Sequence, residues 1–167
     1  LLCPSTGKQP KKVAWIQCIG SRGLQKGAGA YCSNACCMFA LKEAMVTKER
    51  FHEDIETTIF YMDMRTFGKD YEQYLNRAKD EYGVRLLRSR PHSILQSDGQ
   101  EDLTLTYTQD DSSKQFEEKF DMVVLSTGFK TSEDTRALAT TMGLELNDDF
   151  FPVTEGLNPV ATTKPGI

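Results

Sequence analysis

Residues 12–20, KVAWIQCIG, constrain the fold more than any other stretch of the chain. The run is almost continuously apolar and stops at a glycine. That pattern is a strand buried on both faces, as at the centre of a parallel sheet. A loop, SRGLQKGAGAY, fills residues 21–31. The spacing then predicts a helix from about Asn34 to Arg50. Ser33 or Asn34 is its expected N-cap, and Ala40, Leu41, Ala44 and Met45 form its buried stripe. A second strand is expected at 55–63 and a second helix at 69–82. On that helix Tyr71, Tyr74, Leu75 and Ala78 share a face, and Gly83 is the expected C′ residue. VRLLRS, 84–89, completes a strand–helix–strand–helix–strand order, the doubly wound α/β pattern.

The pattern then changes. SILQSD, DLTLTYTQD and KQFEEKFD alternate polar and apolar positions and predict an antiparallel meander. DMVVLSTGF, 121–129, returns to a continuous apolar strand of the buried parallel type. A helix near 132–142 follows, and the tail after it has too little apolar periodicity for a core of its own. The expected division is a linker at 1–11, a Rossmann-like domain at 12–129, and a separate segment from 130 to 167.

A chain of 167 residues can bury a sizeable core without staples. A net charge of −4 with no basic stripe argues against a nucleic-acid surface. No apolar run reaches the roughly 20 residues of a membrane span, so membrane insertion is not expected. The start, LLCPSTGKQPKK, lacks the layout of a signal peptide and an initiator methionine, so the chain reads as part of a longer protein. The five cysteines are odd in number and four lie in one stretch, unlike a secreted disulfide framework. They point to a reducing, cytoplasmic compartment and to metal or redox chemistry.

Those four are Cys18, Cys32, Cys36 and Cys37, with 13 residues between the first two and three between the next. Cys18 ends a strand and the other three precede or open a helix, so a doubly wound fold brings them to one crevice. Four convergent thiolates are the complement of a cubane iron–sulfur cluster, and a helix N-terminus favours the anionic charge. The spacing is neither that of common ferredoxins nor that of a zinc ribbon. A redox dithiol, structural zinc and simple packing of small thiols stay open beside the cluster. Cys3 is expected to be incidental.

An ordinary dinucleotide turn needs G-x-G-x-x-G directly after the first strand. Here only Gly20 stands there, and Gly27 and Gly29 belong to the loop, which argues against NAD(P). Gly20 and Asp63 are the residues a nucleotide would use, Asp63 holding the adenine ribose while Arg65 meets a phosphate. The plainer expectation is that Asp63 and Arg65 end a strand and face water. His52 and His92 have no nucleophile or carboxylate at useful spacing and read as surface residues. Trp15 reads as core, and the tyrosines of the second helix as core or interface.

The order of elements resembles the inserted NAD(P)-binding domain of the thioredoxin-reductase-like flavoproteins. In these a meander follows the third strand, and a strand like DMVVLSTGF leads back toward the flavin domain. GLELNDDFFPVTEGLNPVATTKPGI is similar to their return segment. VAWIQCIGSR…YCSNACCMFALKEA, followed by IFYMDMRTFGKDYEQYLNRAKDEYGVR, resembles the A-subunit of the heterodisulfide reductases. It also resembles the related component of quinone-interacting complexes. The resemblance runs over nearly the whole chain from Lys12. It implies a [4Fe–4S] cluster ligated by Cys18, Cys32, Cys36 and Cys37, near an FAD held mainly by segments outside these residues. It also implies electron transfer between the two cofactors and partner subunits of such a complex. These residues alone are expected to have no turnover.

Overall fold

The computed structural model describes residues 1–51, 54–96, 99, 101–109 and 114–167. His52 lies outside them, as do Ser97, Asp98 and Asp110 at the ends of two predicted meander strands. The chain forms two compact bodies, Leu1–Gly128 and Phe129–Ile167.

In the first body, β1 (Lys12–Ile16), β2 (Glu56–Tyr61), β3 (Arg85–Arg88) and β7 (Met122–Leu125) make a parallel sheet in the order β3-β2-β1-β7. The helices α1 (Cys36–Phe51) and α2 (Tyr71–Asp80) supply the crossovers. Between β3 and β7 the strands β4 (Ser93–Gln96), β5 (Leu103–Thr108) and β6 (Gln115–Phe120) form the antiparallel meander. This is the Rossmann-like sheet plus meander that the sequence predicts.

Alternation along β1 divides the core into two layers. Val13 and Trp15 face the helices, where they pack with Leu41, Met45, Ile55 and Ile59. Ala14 and Ile16 face the other way, against Phe60, Leu105, Tyr107 and Phe120. The Phe60 and Tyr107 rings meet edge-on at 4.9 Å, so the meander covers the sheet with aromatic contacts. The Trp15 ring is buried, and its indole N–H donates to Glu43 of α1 at 2.8 Å. That bond ties the central strand to its crossover helix.

Several boundaries depart from the sequence reading. β1 stops at Ile16 rather than Gly20, because ladder pairing ends there on both sides. The apolar residues that follow belong to a turn. Among the described residues β7 is an edge strand, only partly buried and not flanked on both sides. α1 begins at Cys36: the Ala35 carbonyl accepts the Phe39 N–H at 3.0 Å, so Ala35, not Ser33 or Asn34, occupies the N-cap position. Tyr71 is exposed and lies over Gly68 instead of in the core. Gly83, with φ +61°, falls one residue beyond the expected C′ position, since the C-cap is Glu81.

Residues 1–11 make turns of their own, with the Gly7 N–H bonded to the Cys3 carbonyl at 2.8 Å. Cys3 is buried, its thiol 3.5 Å from the Asp121 carbonyl oxygen. The Asp121 carboxylate accepts the backbone N–H groups of Lys11 and Lys12 at 2.6 and 2.7 Å, which anchors the start of β1.

In the second body, Ser132 caps α3 (Glu133–Met142) through the Thr135 N–H, and Gly143 closes it at φ +65°. A hairpin of β8 (Thr154–Glu155) and β9 (Asn158–Thr162) follows. Ala139 is the buried hydrophobic residue of this body, in keeping with a tail that has no core of its own.

Candidate functional site

The crevice at the carboxyl end of β1 is built from a strained turn. Cys18 follows the strand at φ +61°, Gly20 turns at φ +67°, and Arg22 at φ +55°. A left-handed conformation costs a non-glycine residue roughly 1–2 kcal/mol, so the surroundings must hold these positions. They do so through hydrogen bonds across the loop. The Gly29 N–H donates to the Gly20 carbonyl at 2.9 Å, and the Arg22 N–H donates to the Tyr31 carbonyl at 3.2 Å. Gly29 lacks the Cβ that would strike the Tyr31 ring at 2.9 Å. The long loop therefore closes on itself and delivers Cys32 back beside Cys18. Nothing lies within 4 Å of where a Gly20 Cβ would be, so Gly20 serves its backbone angle rather than a close approach.

Cys18, Cys32, Cys36 and Cys37 line a single pocket with Ser21 and Arg65. None is in a disulfide. Cys18 and Cys37 are buried, while Cys32 and Cys36 are half-buried on the open side. The Ser33 hydroxyl lies 2.8 Å from the Cys36 sulfur, and the Asn34 N–H donates to the Cys32 sulfur at 3.4 Å. Ser21 is buried beneath Gly128, where an added Cβ would come within 2.5 Å of its hydroxyl. The structure thus brings together all four cysteines singled out from the sequence and leaves Cys3 elsewhere, against Asp121.

Burial pushes the Cys18 thiol up in pKa, and a hydrogen bond and charge from Arg22 offset part of that rise. Burial also raises Cys37; the Arg65 backbone N–H opposes the rise, and the sulfurs of Cys18, Cys32 and Cys36 add to it. Negative charge on neighbouring sulfurs disfavours a further thiolate beside them.

Asp63, just past β2, accepts from the Arg22 guanidinium and from Arg65 Nε, the latter at 2.9 Å. These bonds hold its carboxyl below the usual carboxylate range. Asp63 and Arg65 are therefore half-buried partners, not strand-end residues that simply face water. Sequence reasoning missed Arg22, which bonds Asp63 and opposes the rise in the Cys18 pKa. The available signal was a cation placed four residues after a cysteine at a strand end. His92 is exposed and does not line this pocket.

The donor set suits an iron–sulfur cluster: four soft thiols on one pocket, beside the amino end of a helix. Among the described residues, no three Cys, His, Asp or Glu side chains form a group that could grip a single metal ion. Zinc would require sulfurs gathered about 2.3 Å from one centre. A cubane needs a looser ring, since each thiolate takes its own iron. The present gap is narrow, about 10 Å3, or one water's worth. Residues 32–35, which line it, belong to no helix or strand.

No family model matches the chain. The A-subunit of the H(2):CoB-CoM heterodisulfide,ferredoxin reductase of Methanothermobacter thermautotrophicus is 40% identical over 168 residues, covering 98% of this chain and 25% of that relative. The iron-sulfur A-subunit of the CoB--CoM heterodisulfide reductase of Methanocaldococcus jannaschii is 41% identical over 166 residues, again 98% of this chain and 25% of the relative. The thioredoxin reductase of Lactococcus lactis shares the fold at TM-score 0.52 and 16% identity, over 93% of this chain and 42% of the reductase. No helix among the described residues is long and apolar enough to cross a membrane. The chain spans about a quarter of the length of the curated relatives it matches, and by that match it belongs to the A-subunit family of the heterodisulfide reductases.

Proposed function

We propose that residues 12–129 form the iron–sulfur-carrying Rossmann-like domain of an electron-transfer subunit, with Cys18, Cys32, Cys36 and Cys37 as ligands of a [4Fe–4S] cluster. The observation that carries this reading is the convergence of those four unpaired thiols on one pocket at the start of α1. Such a cluster supplies one-electron transfer. The chain's own contribution is placement. The left-handed turn holds Cys18 at the pocket, the closed loop returns Cys32, and the first turn of α1 presents Cys36 and Cys37. Burial raises the pKa of Cys18 and Cys37, and as ligands these thiols would give up their protons.

Residues 130–167 are proposed to be the start of a return segment toward a flavin domain, and 1–11 a lead-in to β1. The whole protein would then exchange electrons with an FAD held outside these residues, within a heterodisulfide-reductase-like or quinone-interacting complex. The relatives named as iron-sulfur and heterodisulfide reductase subunits support that assignment. A nicotinamide site forms no part of it. The phosphate turn is missing, and Asp63, the one residue placed to hold a ribose, already holds two arginines.

Anaerobic reconstitution of the chain with iron and sulfide is the test. The expected result is four irons and four sulfides per chain, with a broad visible absorbance bleached by dithionite. Cys18→Ser and Cys37→Ser are expected to lower uptake severely, while Cys3→Ser leaves it unchanged. Stoichiometric zinc without the absorbance, or uptake indifferent to Cys18 and Cys37, would overturn the assignment.

A further inference from the structure

Resting on the cluster reading above, we propose that Arg22, Asp63 and Arg65 form a charge collar that would tune the reduction potential of a cluster held by the four cysteines. The three side chains come from two different crossover loops and bond one another, and Arg65 also lines the pocket. Asp63 sits between the two cations, bonded to the Arg22 guanidinium and to Arg65 Nε at 2.9 Å. Arg22 also acts on the Cys18 thiol, opposing the rise in its pKa, and its own backbone is pinned to Tyr31 across the neck of the loop. Arg65 lines the pocket itself, and its backbone N–H faces the Cys37 sulfur.

The collar carries two positive charges and one negative, a net of plus one against four sulfur ligands. One electron arriving in the pocket adds one negative charge, with no bond made or broken and no proton required. A net positive collar favours that arrival, and N–H donors to ligand sulfurs act in the same direction. Asp63 has two opposed effects. It subtracts charge, and it fixes both guanidinium groups where they act. The side chains are 26%, 35% and 45% exposed for Arg22, Arg65 and Asp63, so the effect is partial and is screened by salt.

The experiment measures the midpoint potential of the reconstituted chain in a dithionite titration followed by visible absorbance and electron paramagnetic resonance. Arg22→Gln and Arg65→Gln are expected to move it to more negative values, and Asp63→Asn to more positive ones. Arg22→Lys should restore most of the lost shift, and raising ionic strength should shrink every difference. Opposite signs for the cation and the anion variants are something a purely structural role would not produce. Unchanged potentials, or shifts of one sign in all three variants, would overturn the collar. If Arg22→Gln takes up no cluster, Arg65→Gln and Asp63→Asn decide the matter by their signs alone. Failure of the unsubstituted chain to take up iron and sulfide would overturn the cluster reading, and the collar with it.

Discussion

Cys18, Arg22 and Asn34 all adopt positive φ, at +61°, +55° and +60°, and all three lie within the segment that shapes the thiol pocket. Strain of this kind persists only where the surroundings over-determine the backbone. Gly128 is part of that restraint, because it lies directly over the buried Ser21 hydroxyl at φ +78°. Gly128→Ala is therefore expected to destabilise the chain by about 1–3 kcal/mol, from both the left-handed angle and the clash. Urea unfolding monitored by circular dichroism measures this. At this scale the four cysteines were legible because residue type and clustering carried the signal. Arg22 was not, because its partner Asp63 lies 41 residues away and spacing along one element says nothing about it. The place of Asp63 at the end of β2 was legible, and its use there was not.

Among the elements, the order of strands and helices was readable from apolar runs alternating with helical periodicity. The ends of β1 and α1 were not. An apolar run continues through Cys18 and Ile19, but ladder pairing stops at Ile16, and pairing defines the strand. The stripe of α1 was read correctly, and Leu41 is fully buried in the helix-side core. Leu41→Ala is expected to cost about 2–5 kcal/mol, measured by the same unfolding curve. A partly buried polar knot between the meander and the sheet went unread, since its members come from four strands. Glu118 of β6 accepts from Arg85 at 2.6 Å, from Tyr107 at 2.8 Å and from Lys12 at 2.8 Å. Burial alone would raise its pKa, but these donors outweigh it and hold the carboxyl at about 2, against an ordinary 4.5. The folded state thus binds this proton less tightly than the unfolded chain. The stabilisation is complete above about pH 4.5 and fades as pH falls toward 2, by at most about 3 kcal/mol. Denaturant midpoints across that range should fall more steeply for the native chain than for Glu118→Gln.

For the molecule as a whole, the two bodies differ in how they are held. Leu1–Gly128 has two apolar layers around its sheet. Phe129–Ile167 has Ala139 as its buried hydrophobic residue and exposes Leu157 and Val160 on its hairpin. A piece of that size seldom secures itself with so little core. Backbone amides of β8 and β9 are expected to exchange with deuterium far faster than those of β1 and β2, as mass spectrometry of peptic peptides would show. Equal protection in both would refute this. The Trp15 bond to Glu43 has a practical consequence at the same scale. The chain has one tryptophan, sealed between sheet and helix only three residues before Cys18. Its fluorescence is a built-in lamp beside the cysteines: a coloured inorganic group settling there would dim it, and parting of the strand from its helix would redden it.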